Sequence, residues 1–136
     1  MKKRIFILVA VFSLGAAMGF SLDLPRSQNL PLKEFSHWVN LAKSNSSFVI
    51  LDVRTPEEFE AGFIERAVNL DFYSKDIEEK ISRLDKNKIY LLYCRSGNRS
   101  GKFLNFMQQA GISKAYHLVG GFNEWQFNGY PIKRKK

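Results

Sequence analysis

Two uninterrupted apolar segments constrain the fold of this chain more than any other feature: FVILDV at 48–53 and KIYLLYC at 88–94. A strand with one face in water alternates apolar and polar residues, whereas a strand covered on both faces is apolar throughout. Around these segments, apolar residues recur at three- and four-residue spacing at 32–43, 74–84 and 100–110, which predicts amphipathic helices. We therefore expect an α/β domain of three layers, with helices flanking a central, mostly parallel sheet.

Shorter segments supply the remaining elements of this domain. TPEEFEAG predicts a helix at 56–61, because Thr caps a helix, Pro suits its first turn and Gly ends it. AVNL and AYHLV predict two brief strands, and a short last helix follows Gly120 and Gly121, a pair that lets two backbone segments approach closely. Residues 21–31, which contain two prolines, predict a linker ahead of a single domain at 32–132.

The first twenty residues predict export from the cytoplasm. A basic start is followed by sixteen uncharged residues, with small residues at Ala17 and Gly19, which is the pattern of a secretory signal peptide over 1–20. The uncharged stretch continues to Leu22, so an uncleaved membrane anchor is the alternative. Both interpretations place the remaining chain outside the cytoplasm, in the periplasm or another exported location.

The charge balance indicates no nucleic-acid partner. The formal net charge of +8 falls to +5 when the three basic residues of the export segment are left out. Four more basic residues form a tail at 133–136, which we interpret as a solvated end, with an anionic membrane surface or nucleic acid as the alternative. Aromatic and basic residues are not interleaved as in nucleic-acid-binding surfaces. Membrane contact is expected only if the segment 1–20 remains attached.

Cys94 is the only cysteine of the chain, and the loop after it is suited to holding an anion. If the loop CRSGNRS curls round Cys94, its backbone N–H groups point inward, and Arg95 and Arg99 add positive charge. Gly97 and Asn98 tolerate the positive φ angles that such a curl requires. These features lower the pKa of a thiol and make Cys94 a candidate nucleophile. The predicted binding residues are Arg95, Ser96, Gly97, Asn98, Arg99 and Ser100.

A purely structural interpretation treats Cys94 as a small apolar residue at the end of a buried strand. The Gly–Asn turn is then an ordinary connection, and the arginines are surface charges. The occurrence of all these features within six residues favours an anion-binding site instead.

Spacing separates the reactions that use a cysteine in such a loop. Tyrosine-phosphatase-like enzymes have five residues between the cysteine and an arginine that binds phosphate. Here four residues separate Cys94 from Arg99, and Ser100 occupies the position of that arginine. A shorter loop matches one added sulfur atom better than a phosphate group.

With these motifs, the chain resembles the single-domain rhodaneses, a family of sulfurtransferases. The resemblance covers about residues 32–132 and is carried by ILDVRTPEEFEAGFIERAVNL, YCRSGNRSGK and LVGGFNEWQFNGYPI, in the family's order and spacing. It implies an α/β fold with a central parallel sheet of five strands. It also implies that Cys94 carries sulfur as a persulfide.

One motif departs from the family pattern. The family has Gly-His-Ile-Pro-Gly-Ala, whereas residues 62–67 are Gly-Phe-Ile-Glu-Arg-Ala. We expect altered local packing or a different partner surface there, with the sulfur chemistry intact.

The resemblance predicts a two-step covalent transfer. Cys94 attacks the outer sulfur of a small anionic donor such as thiosulfate, and a thiol or cyanide then removes the sulfur. A protein is an alternative sulfur acceptor. Arg95 and Arg99 are both candidates to steer the donor, and neither a metal nor an organic cofactor is required. The alternatives are a persulfide carrier with little turnover and a cysteine-dependent phosphatase or arsenate reductase, which the spacing disfavours.

Asp52 and Arg54 lie at the end of the 48–53 segment, at the same predicted sheet edge as Cys94. A functional interpretation has Asp52 bracing an arginine of the loop and Arg54 lining the entrance. The alternative is an Asp that caps a turn and an Arg on the surface. We expect Asp52 to have a supporting, structural role.

Three further residues are predicted to be structural. His37 and His117 have no partners at metal-ligand spacing, so no metal site is expected. Trp125, in the last helix, is expected to pack in the core rather than to stack on a substrate.

Overall fold

A parallel sheet of five strands dominates the computed structural model, which describes residues 22–136. The strands are β1 (Asn29–Leu30), β2 (Phe48–Asp52), β3 (Val68–Asn69), β4 (Ile89–Tyr93) and β5 (Ala115–Leu118), in the spatial order β1-β5-β4-β2-β3. Every pairing between neighbouring strands is parallel. The predicted α/β class is confirmed, whereas the predicted signal peptide at 1–20 lies outside the described residues.

Five helices cover the two faces of this sheet within the described residues. They are α1 (Leu32–Ala42), α2 (Pro56–Ala61), α3 (Ile77–Ser82), α4 (Asn98–Gln109) and α5 (Gly121–Phe127). Between residues 22 and 136, none of them is both long enough and apolar enough to span a bilayer.

The side chains of β4 explain why its sequence is apolar throughout. Leu91 and Tyr93 belong to the core under α1 and α5, whereas Leu92 and Cys94 belong to the core under α4. Successive side chains of a strand point to opposite faces, so a central strand with helices on both sides has no water-facing side. This burial places the end of β4, and therefore Cys94, in the interior.

The predicted linker at 21–31 contains β1, which sequence analysis missed. Asn29 and Leu30 pair in parallel with His117 and Leu118 of β5 at the edge of the sheet. A strand of two residues is too short to show a periodic pattern of apolar residues, and Pro31 follows it directly. The consequence is that Asn29 lies beside β5 rather than in a free connection.

Two helices differ in their bounds from the predicted ranges. The helix expected at 74–84 begins only at Ile77, because Ser74 is held in a turn by bonds to the Asp71 carbonyl and the Asp76 carboxylate. The helix expected at 100–110 begins two residues earlier, at Asn98, directly after the left-handed residue Gly97. The cysteine loop is therefore shorter than expected, since it is already helical at Asn98.

The segment 62–67, which departs from the family motif, packs against α2 and the C-terminal segment. Phe63 stacks on Phe59 at 4.4 Å between ring centroids and forms an antiparallel bridge with Lys133. Arg66 takes the place of the family's second glycine and has a φ of +69°. Its guanidinium donates hydrogen bonds to the Ala42 and Lys43 carbonyls at the end of α1, which offset the strain of that backbone conformation.

The basic tail at 133–136 is exposed, and two of its lysines form ion pairs with glutamates of the domain. Lys133 pairs with Glu65 at 3.6 Å, and Lys135 pairs with Glu60 at 3.5 Å. All four side chains are more than 40% exposed, so these pairs are screened by water.

Candidate active site

The thiol of Cys94 lies at the carboxyl edge of the sheet, directly after β4. Cys94 is 1% exposed, and hydrogen-bond donors of the following loop surround its sulfur. The N–H of Gly97 lies 3.1 Å from Sγ, and the hydroxyl oxygen of Ser100 lies 3.4 Å from it. This is the curled loop that the sequence predicted, with donors directed at one sulfur atom.

These contacts lower the pKa of the thiol. Burial raises the pKa of Cys94, because a charged thiolate loses its hydration. Hydrogen bonds from the Ser100 hydroxyl and from the backbone N–H groups of Ser100, Ser96 and Gly97 outweigh this effect. The pKa therefore lies below the ordinary value of a cysteine, so the site favours the nucleophilic thiolate.

The curl of the loop depends on Gly97. Its φ is +97°, and a Cβ at this position would lie 1.9 Å from the Val119 carbonyl oxygen. A side chain is thus excluded both by backbone conformation and by the neighbouring segment after β5. Asn98 begins α4, and the backbone N–H of Ser100 in the first turn of this helix is also directed at the thiol.

The start of α5 holds the other side of the loop. The N–H of Phe122 donates to the Cys94 carbonyl at 2.7 Å, and that of Asn123 donates to the Arg95 carbonyl at 3.0 Å. Gly121 makes this approach feasible, because a Cβ there would lie 2.4 Å from the Arg95 oxygen. The expectation of close backbone contact at the double glycine is confirmed at Gly121.

The two arginines of the loop have different surroundings. Arg95 is exposed at the mouth of the site. Arg99 donates to both carboxylate oxygens of Glu58, at 3.0 and 3.1 Å, and its guanidinium lies 5.7 Å from the ring centroid of Tyr73. An open cavity of about 300 Å³ lies over the loop, lined by Thr55, Glu58, Tyr73, Arg95, Ser96, Asn98 and Arg99. Glu58 could not be recognised from the sequence as part of the site, because its role in the capping box of α2 with Thr55 fully accounts for it locally.

Asp52 does not brace an arginine of the loop, and Arg54 does not line the entrance. The two residues form a buried ion pair with each other, at 2.6 Å between Arg54 Nη2 and Asp52 Oδ2. Arg54 also donates to the Gly62 carbonyl at 2.6 Å and lies 4.0 Å from the ring centroid of Phe122 in α5. A supporting role for Asp52 agrees with this geometry, since the pair joins β2 to the helix that holds the loop.

His117 contacts the site, which sequence analysis did not predict. Its Nδ1 lies 2.9 Å from the Ser100 hydroxyl, and its Nε2 lies 3.0 Å from Oδ1 of Asn29. The available signal was a polar residue in the apolar strand AYHLV, on the same face as Ala115 and near the same sheet edge as Cys94. The neighbours of His117 could be identified only from the register of β5 with β4 and β1, which the sequence does not show.

The other residues singled out in the sequence lie apart from the thiol. Trp125 is buried in the core and donates to the Pro131 carbonyl, as expected of a packing residue. His37 is exposed on α1 beside Trp38. Across residues 22–136, no three His, Cys, Asp or Glu side chains are grouped to bind a metal ion.

Fold and site together define a class of protein: a parallel α/β domain whose buried cysteine lies in a donor-rich loop between a central strand and a helix. Comparison with known sequences gives the family. Residues 35–128 match the rhodanese-like domain, and the chain belongs to the rhodanese-like domain family. The resemblance seen in its motifs is confirmed.

Curated relatives include proteins named as sulfurtransferases. The chain is 33% identical over 84 residues to a sulfurtransferase of Allochromatium vinosum, which covers 62% of this chain and 77% of that protein. It is 32% identical to thiosulfate sulfurtransferase 16 of Arabidopsis thaliana, covering 61% of this chain and 78% of that one. It spans 65% of the length of the uncharacterized protein YqhL of Bacillus subtilis, at 34% identity over 64% of this chain.

Solved structures agree with the observed architecture. The crystal structure of a rhodanese-related protein from Thermoplasma volcanium matches with a TM-score of 0.68 and 26% identity. The match covers 80% of this chain and all of that one. The five-stranded sheet with flanking helices is therefore that of rhodanese-like domains, and the family supports sulfurtransferase activity in general terms.

Proposed function

We propose that this protein moves sulfane sulfur from a donor to a thiophilic acceptor through a persulfide on Cys94. The observation that carries the proposal is the set of donors around Sγ, with the Gly97 N–H at 3.1 Å and the Ser100 hydroxyl at 3.4 Å. Such donors stabilise a thiolate before the reaction and a persulfide anion after it. The relative named as a thiosulfate sulfurtransferase supports thiosulfate as the donor to test first.

The proposed reaction consists of two displacements at sulfur. In the first, the Cys94 thiolate forms an S–S bond with the outer sulfur of thiosulfate, the existing S–S bond breaks, and sulfite leaves with the bonding electron pair. In the second, cyanide or a thiolate forms a bond to the outer sulfur of the persulfide, and the Cys94 thiolate is released. Charge balances in each step, and only Cys94 bears the sulfur, so the scheme requires no metal or organic cofactor.

The loop arginines have unequal roles in this scheme. Arg95 is exposed at the mouth, so its charge is available to attract an anionic donor. Arg99 is held by Glu58, and we assign it to the shape of the mouth and to partial stabilisation of the leaving sulfite. A mouth of about 300 Å³ leaves room for cyanide, for a small thiol or for the exposed thiol of a protein acceptor.

Sulfur uptake by the full-length protein tests the proposal. The reduced protein is treated with thiosulfate, freed of excess donor and measured by intact mass spectrometry. We expect one added sulfur atom, located on the peptide containing Cys94, and none in Cys94→Ser. Addition of cyanide should remove this sulfur and release thiocyanate.

The outcomes distinguish the competing functions. Failure of the wild-type protein to take up sulfur from thiosulfate, from a persulfide or from a polysulfide donor would refute the proposal. Uptake followed by very slow transfer to cyanide and small thiols would indicate a persulfide carrier for a protein acceptor. Release of phosphate from an aryl phosphate, dependent on Cys94, would indicate a phosphatase instead.

We also propose that the protein functions outside the cytoplasm, as an exported protein or on a membrane anchor. The support is the basic start and the uncharged stretch of residues 1–20. N-terminal sequencing of protein recovered from the exported fraction distinguishes cleavage near residue 20 from retention. Recovery of the intact chain only in the soluble cytoplasmic fraction would contradict both forms of the proposal.

A further inference from the structure

A continuous chain of hydrogen bonds leads from the reactive sulfur to the edge of the sheet. Sγ of Cys94 lies 3.4 Å from the Ser100 hydroxyl, which lies 2.9 Å from Nδ1 of His117. Nε2 of His117 lies 3.0 Å from Oδ1 of Asn29. Four residues from β1, β5, α4 and the cysteine loop thus share one polar path through a region that is otherwise apolar.

The directions of these bonds follow from the chemistry of their ends. An amide oxygen only accepts hydrogen bonds, so the proton of neutral His117 is on Nε2, where it is donated to Asn29. Nδ1 of His117 is then an acceptor at 2.9 Å, and Ser100 donates to it in preference to the Gly97 carbonyl, which lies farther from the hydroxyl at 3.3 Å. The remaining lone pair of the Ser100 oxygen faces the sulfur and accepts from the protonated thiol.

We infer that His117 is the proton acceptor for the Cys94 thiol, and that the proton is transferred through the hydroxyl of Ser100. The thiol proton passes to the Ser100 oxygen while the Ser100 proton passes to Nδ1 of His117. The products are a thiolate, an intact serine hydroxyl that now donates to sulfur, and an imidazolium that donates to both Ser100 and Asn29. No proton is gained or lost, and every polar atom in the path keeps a partner.

The surroundings of His117 favour this paired transfer over independent protonation. Asn29 faces it from β1, Leu92 lies beside it in β4, and Ser100 and Gly101 face it from α4. None of these groups is charged, and within residues 22–136 the titratable group that hydrogen bonds connect to His117 is the thiol, through one hydroxyl. Burial lowers the pKa of His117, so an imidazolium forms readily only where a thiolate balances its charge.

The imidazolium would persist through the proposed reaction. Thiolate and persulfide each carry one negative charge, and neither displacement takes up or releases a proton. His117 therefore remains the internal counter-ion of sulfur, in addition to the backbone donors of the loop. The inference rests on the proposed function only in taking Cys94 as the nucleophile.

Alkylation of the single cysteine measures this relay without any sulfur donor. The rate of reaction with iodoacetamide, followed by intact mass from pH 5 to 10, reports the thiolate fraction of Cys94. In His117→Asn the amide can still bond to Ser100 but cannot accept a proton. We expect the midpoint of the plot of alkylation rate against pH to rise by about one pH unit. Alkylation at pH 6.5 should then be about tenfold slower, and the rate reached at high pH should be unchanged.

Two further variants serve as controls. His37→Asn removes the other histidine, which is exposed on α1, and should leave the profile unchanged. Ser100→Ala should raise the midpoint, and adding His117→Asn to it should raise the midpoint no further, because the path is already interrupted. A folded His117→Asn variant with the wild-type profile would show that His117 only packs, and would overturn the inference.

If His117→Asn does not fold, the coupling between Cys94 and His117 can still be tested in the wild-type protein. The ring carbon-bound protons of the two histidines are titrated by NMR, before and after capping Cys94 with methyl methanethiosulfonate. Loss of the thiolate should lower the midpoint of His117 by about one pH unit and leave His37 unchanged. An unshifted His117 would refute the coupling. Coupling without sulfur uptake would instead refute the proposed function and leave this inference standing.

Discussion

The carboxylate of Asp52 and the guanidinium of Arg54, two residues apart in sequence, form a buried ion pair beside α5, the helix that holds the cysteine loop. They are 0% and 4% exposed, and three bonds of 2.6 to 3.1 Å join the two side chains. Arg54 packs on the ring of Phe122, whose backbone N–H holds the Cys94 carbonyl. The pair thus supports the loop indirectly, through α5.

Removal of Asp52 should be strongly destabilising. In Asp52→Ala, Arg54 stays charged and buried without its partner, and we expect the free energy of unfolding to fall by about 3–5 kcal/mol. Urea denaturation measures this change. Glu79→Ala is the matched control. It breaks an ion pair between Glu79 and Arg83, whose side chains are 60% and 75% exposed, and should leave the urea midpoint of unfolding nearly unchanged. Equal effects of the two substitutions would contradict a structural role for the buried pair.

Glu58 should limit the use of small anionic donors. Its carboxylate neutralises Arg99 at the mouth, so Glu58→Gln should raise kcat/KM for thiosulfate about fivefold, equivalent to about 1 kcal/mol. The glutamine retains an oxygen for the capping bond to the Thr55 N–H, so the helix should remain intact. Glu57→Gln, on the exposed neighbouring residue, is the charge-matched control. The gain should shrink at high salt, and a decrease in kcat/KM would show that the Glu58–Arg99 pair promotes donor binding.

Gly97 should be indispensable to the loop. Gly97→Ala places a Cβ against the Val119 carbonyl at a φ of +97°, so the N–H that contacts Sγ must move. We expect sulfur transfer to fall at least about tenfold and the alkylation midpoint of Cys94 to rise. Gly129→Ala separates the two causes, since its φ is +75° but a Cβ there has nothing within 4 Å. That variant should lose about 1 kcal/mol of stability and keep full activity. An active Gly97→Ala would mean that the loop adapts.

Tyr93 should make the fold sensitive to alkaline pH. Burial, together with the nearby Asp52 charge, raises the pKa of Tyr93 far above its ordinary value. Above about pH 10 the unfolded chain releases this proton while the folded chain retains it, so the free energy of unfolding falls as pH rises. Tyr93→Phe should weaken this dependence, at the expense of about 1 kcal/mol at neutral pH, because the Ile64 N–H loses its acceptor.

Denaturation curves between pH 7 and 11 check the alkaline prediction. Tyr73→Phe is the control, because Tyr73 is 65% exposed, and this variant should keep the wild-type pH dependence of stability. A Tyr93→Phe variant with the same pH dependence as wild type would show that other groups cause the loss of stability.

Most of the fold could be predicted because it is encoded in local patterns. The apolar segments that became β2 and β4, and the capping sequence of α2, depend only on neighbouring residues. The strand β1 escaped prediction because two residues carry no period, and its role comes from pairing with β5. The same edge pairing brings Asn29 within reach of His117, 88 residues away in sequence.

The candidate site also has a part that could be predicted from local sequence and a part that could not. Cys94 and its donor loop are contiguous, so composition and spacing sufficed to identify them. The partners of the charged residues could not be identified from sequence. Asp52 binds Arg54 instead of a loop arginine, and Glu58 holds Arg99 from 41 residues away. Each pairing depends on which elements lie side by side.

The α/β class, the family and the candidate nucleophile Cys94 could all be predicted from the sequence alone, because burial patterns, turn residues and a short loop of anion-binding residues are local properties. The tertiary structure decided which groups surround that nucleophile: a cation held by Glu58, a buried pair beneath the loop, and a histidine behind Ser100. The physical reason is that a polar side chain takes its partner from whatever the strand order brings near. In a sheet ordered β1-β5-β4-β2-β3, the nearest groups in space are seldom the nearest in sequence.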